Sequence, residues 1–107
     1  MPIFDRAGML ARLTDDEELA ALIVARFCES TPRQIEAIRS SLDAGDAADL
    51  RLAAHSIKGA AANVGAERLR RVASALEQAA QAGDLSAARV HLAELELQFD
   101  QWQVAMR

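Results

Sequence analysis

The chain has 107 residues, 51% hydrophobic and 26% charged, with a net charge of −4. That supports one hydrophobic core and excludes a disordered tail. No apolar run nears the ~20 residues that span a bilayer, no signal-peptide core is present, and the acidic balance disfavours nucleic acid or an anionic membrane as partner.

Capping signals divide the sequence into helices. Asp5 caps a short segment ending near Leu13. Thr14 and Glu17 form a capping box, and Asp15, Asp16, Glu17 and Glu18 place negative charge at the positive end of the next helix. That helix carries Leu19, Leu22, Ile23 and Phe27. Thr31-Pro32 predicts a kink or restart, with Thr31 and Gln34 as a second capping box. Ile35, Ile38 and Leu42 continue the apolar face to a C-cap at Gly45.

Asp46 and Asp49 open the next segment, which runs to about Asn63. Gly65 breaks it, with Asn63 as a candidate cap. A further helix over 66–82 places Leu69, Val72, Ala73, Leu76 and Ala80 on one face. After Gly83-Asp84, the last helix, to about Val104, repeats Ala88, Leu92, Leu95, Phe99, Trp102 and Met106 at alternating 3–4 spacing. The pattern predicts a single all-α domain over 1–107: an antiparallel up-down four-helix bundle with a short extra N-terminal helix. The 24 alanines allow close helix approach.

The segment containing His55 is the informative one. At 100° per residue, Leu50, Ala53, Ala54, Ile57, Ala61 and Val64 point to the core, and His55 lies about 160° away, facing water. Lys58, the single lysine beside eleven arginines, and Gly59 are one turn further on. Ala62 follows, and Arg51 and Leu52 precede by a turn. Glycine within a helix costs about 1 kcal/mol relative to alanine, so Gly59 calls for a reason. Clearance for a second molecule to reach the imidazole is such a reason, weighed against an ordinary packing contact. A ring nitrogen can accept a phosphoryl group covalently, and a nearby ammonium can compensate its charge.

His55-Ser56-Ile57-Lys58-Gly59, with Gly65-Ala66 after it, resembles the histidine-containing phosphotransfer (HPt) signature H-x-[LI]-K-G-x-x-x-x-x-G-[AG]. The likeness extends to Phe4-Asp5-Arg6, Gly45-Asp46, Leu76-Glu77 and Gly83-Asp84. It implies a two-component phosphorelay intermediate, a stoichiometric carrier and not an enzyme. His55 would accept a phosphoryl group from a receiver-domain aspartate and pass it to another receiver. Lys58 would contact the phosphoryl oxygens, Gly59 would give steric clearance, and Glu77 would orient the imidazole. Leu52, Ala62 and Arg51 would form the docking contacts. No cofactor is expected on this chain, Mg²⁺ being supplied by the response-regulator receiver. A monomer in the cytoplasm is expected, with a hybrid sensor histidine kinase in cis as a further partner. The alternatives are the phospho-accepting N-terminal module of a chemotaxis-type histidine kinase, and a helical interaction module that is never phosphorylated.

Other candidates carry less. His91 reads as a structural or surface residue, and Cys28, the single cysteine, excludes an internal disulfide and suits a reducing compartment. Val90, Leu97 and Val104 form a second stripe, read as scattered surface aliphatics, a seat for the N-terminal helix or an oligomer contact. Neither a Glu-x-x-His pair nor a phosphate-cradling loop is present.

Overall fold

The computed structural model describes residues 17–106. Four helices cover almost all of them: α1 (Glu17–Ala44), α2 (Ala47–Asn63), α3 (Glu67–Gln81) and α4 (Leu85–Met106). The short N-terminal helix and the Thr14 capping box lie outside the described residues. Each helix packs on the next, and α4 returns against α1. Connections this short force antiparallel neighbours, so the chain closes as an up-down bundle.

One device makes all three connections. Gly45, Gly65 and Gly83 have φ of 69°, 69° and 70°. The amide after each glycine reaches back to a carbonyl five residues earlier: Asp46 to Ser41, Ala66 to Ala61 and Asp84 to Ala79, each at 2.9 Å. The same three residues then start the next helix. Asp46 Oδ1 accepts from the Asp49 amide and Asp84 Oδ1 from the Ala87 amide, both at 3.0 Å. One helix therefore ends and the next begins on a single residue. Ala66 makes no side-chain cap; it is completely buried, where an aspartate would lose its water. Asn63, offered as a cap by the sequence, is exposed, and backbone amides close the turn.

The predicted stripes form the core. Leu50, Ala54, Ile57, Ala61, Leu76 and Leu95 have no exposed surface. Phe27, Phe99 and Trp102 form an aromatic cluster, with Phe27 edge-on to Trp102 at a 4.9 Å centroid separation. An ion pair between Arg39 and Glu96 joins α1 to α4.

The first long helix departs from expectation in three ways. It does not restart at Thr31-Pro32 but runs unbroken for 28 residues. Pro32 is on the exposed side, while Phe27, Thr31, Ile35, Ile38 and Leu42 stay buried on either side of it. Continuous burial outweighs the ~3 kcal/mol that an internal proline costs. The Thr31–Gln34 capping box is accordingly absent, and the buried Thr31 Oγ1 has no hydrogen-bond partner. Leu19 and Leu22 are exposed, with Ala20 buried instead. α1 exceeds α2 by eleven residues, about 16 Å of helix, so its first turns have no α2 to pack on.

A Cβ built on Gly83 meets nothing within 4 Å. Gly83→Ala therefore tests backbone strain alone, and should cost about 1–2 kcal/mol in urea unfolding.

Candidate functional site

The α2–α3 hairpin turns about Ala66, with His55 eleven residues before it and Glu77 eleven after. Eleven residues make three helical turns, so the two side chains return to the same level and edge. The His55 ring is outside the bundle, with 63% of its side chain exposed. Glu77 is at the margin of the α3 core stripe, and its side chain is only 10% exposed. Glutamate is rarely buried unless paired, and here it is paired twice.

His55 Nδ1 lies 2.8 Å from Glu77 Oε2, and Lys58 Nζ lies 2.6 Å from Glu77 Oε1. A carboxylate can only accept, so Nδ1 is the protonated nitrogen and donates its N–H. In the neutral ring this leaves the lone pair on Nε2, in a side chain that is mostly exposed. Donation by Lys58 is the largest influence lowering the Glu77 carboxyl below the usual range; burial opposes it, and the His55 contact lowers it further. The carboxylate thus stays ionised beside the ring and fixes its tautomer.

Gly59 is exposed, and a Cβ built there meets nothing within 4 Å. Internal packing does not require the glycine, which removes the ordinary structural reason for it. Leu52 is 55% exposed. Arg51 and Ala62 are half-buried along the same helix. Arg51 makes no ion pair with the described residues.

Sequence reasoning placed Lys58 toward a phosphoryl group and Glu77 toward the ring, but missed that one carboxylate bridges both. The available signal was an acidic residue at the edge of an otherwise apolar stripe, Leu69, Ala73, Leu76 and Ala80.

The remaining candidates stay apart from this cluster. His91 is half-buried, with Nδ1 3.8 Å from a Glu94 carboxylate oxygen and without a hydrogen-bond partner. Burial raises the Cys28 thiol, against a smaller opposing effect from Gln103, which disfavours the reactive thiolate. Val90, Leu97 and Val104 are exposed. Among the described residues no cluster of His, Cys, Asp or Glu could hold a metal ion, and no helix is long and apolar enough to cross a membrane.

The family model described as "Hpt domain" matches residues 22–105. The chain belongs to the Hpt domain family. Its fold matches histidine-containing phosphotransfer protein B from Pseudomonas aeruginosa with a TM-score of 0.90 and 27% identity, over 97% of this chain and 90% of that one. The Hpt domain of a sensor hybrid histidine kinase from Shewanella shares the fold with a TM-score of 0.82, at 19% identity over 96% and 89% of the two chains. No curated protein matches the sequence significantly. The chain is thus a histidine phosphotransfer module of the kind used in phosphorelays.

Two consequences can be measured. Gly59→Ala should stabilise the fold by about 0.5–1 kcal/mol in urea unfolding, opposite in sign to Gly83→Ala, because Gly59 has helical φ and open space. Glu77, held below its usual range, contributes stability above that range and loses it as pH falls through the lowered value. The stability difference between the parent and Glu77→Gln should narrow below about pH 4.3, read from urea midpoints across the acid range.

Proposed function

We propose that His55 is the phospho-acceptor of this module and that Nε2 is the attacking atom. The observation that carries the reading is the Nδ1–H donated to a nearly buried, ionised Glu77, which leaves Nε2 as the free nucleophile of a mostly exposed side chain. The donor is an acyl phosphate on a receiver-domain aspartate, and the acceptor is a second receiver. Lys58, whose single charge rests on Glu77 in the unphosphorylated site, supplies positive charge to the phosphoryl oxygens. Gly59 gives the receiver room to approach, while Leu52, Ala62 and Arg51 form the docking rim.

Phosphoryl transfer requires chiefly positioning and charge compensation. The one carboxylate hydrogen-bonded to the His55 ring already accepts from two donors, so the Mg²⁺ of the reaction is assigned to the receiver. This chain then acts as a stoichiometric carrier, charged and discharged once per cycle, and works in the cytoplasm, where receivers are phosphorylated.

The test uses a panel of receiver domains carrying ³²P on aspartate. The parent domain should acquire acid-labile, base-stable label, and His55→Gln should acquire none with its helical circular dichroism unchanged. Label persisting in His55→Gln would overturn the assignment.

A further inference from the structure

Resting on the reading of His55 as acceptor, the geometry around Glu77 points to control over where the phosphoryl group resides. The carboxylate has two oxygens, one bonded by Lys58 Nζ at 2.6 Å and the other facing His55 Nδ1 at 2.8 Å. Lys58 has 30% of its side chain exposed, against 63% for His55. Its ammonium is therefore drawn inward, onto Glu77, when no phosphoryl group is present.

Lysine carries a single compact charge on a flexible stem. Once a dianionic phosphoryl group sits on Nε2, that charge has two competing destinations. If Nζ moves to the phosphoryl oxygens, Oε1 of a nearly buried carboxylate loses its donor and only the ring N–H on Oε2 remains to compensate it. If Nζ remains on Oε1, the phosphoryl group is poorly compensated. Either arrangement disfavours the phosphorylated state relative to a site in which residue 77 is neutral.

We propose that Glu77 sets the transfer potential of phospho-His55 by competing with the phosphoryl group for Lys58, so that the group is passed on and not retained. In the forward step the Nε2 lone pair attacks phosphorus and the N–P bond forms. The bond from phosphorus to the aspartate oxygen breaks, and its electron pair leaves with the receiver carboxylate. The proton on Nδ1 stays in place on its bond to Oε2, so the ring becomes cationic and no proton is released. In the reverse step a receiver carboxylate displaces Nε2, the ring returns to neutral, and Lys58 returns to Oε1. Glu77 is a positioning residue in this scheme, acting through Lys58 and the ring without touching the reacting phosphorus.

The decisive measurement is the equilibrium partition of ³²P between a receiver and the intact chain, normalised to the fraction of chain able to accept label. Glu77→Gln should raise the domain's share relative to the receiver by roughly fivefold, the upper range for an ion pair near a surface. In a Lys58→Met background the same substitution should change the partition less than about twofold, because the contested cation is gone. An unchanged or lowered partition in Glu77→Gln would overturn the proposal. So would an equal effect with and without Lys58, which would place the influence in the ring or in direct repulsion. A parent domain that takes no label from any receiver would instead overturn the acceptor reading on which the proposal rests. Circular dichroism and melting of each variant separate partition from folding, since loss of fold removes acceptor and does not alter the normalised ratio.

Discussion

A nearly buried carboxylate shared by two donors is the constraint around which this molecule is organised. Glu77 can remain ionised at the edge of an apolar stripe only because α2 brings a lysine and an imidazole to its two oxygens. The same contact determines which imidazole nitrogen is bare. Ring orientation, charge compensation and helix pairing are therefore one arrangement viewed from three residues, and a change at any of them is felt by the other two.

That arrangement depends in turn on the α2–α3 joint. The chain leaves α2 through Gly65 and enters α3 on Ala66 with no spare residue. With this joint as origin, His55 and Glu77 lie at equal distances along antiparallel helices. Burial of Ile57, Ala61, Leu69 and Ala73 then fixes rotation about each helix axis. The register is set by packing and turn geometry acting together, and the hydrogen bonds at the site are formed within a frame already determined.

Much of this was legible in the sequence. Gly45, Gly65 and Gly83 marked three of the helix ends, the apolar periodicity marked the inward faces, and the Lys58-Gly59 neighbourhood distinguished His55 from His91. The parts that were not legible share a physical cause. Pro32 reads as a breaker because propensity is local, whereas the burial on both sides of it is a property of the whole bundle. Leu19 and Leu22 read as core because periodicity does not reveal where the partner helix ends. The bridging of His55 and Lys58 by one carboxylate depends on crossing from one helix to another, which a single-helix projection does not contain.

Gly59 gives this site an unusual relation to folding. It is a mid-helix position with open space, helical geometry and no internal partner, so the fold alone favours alanine there. Selection for thermal stability, or a redesign scored on packing, would fill that position and narrow the approach to the imidazole. The protein carries a small local instability one turn from the imidazole, at a glycine that the isolated fold does not explain.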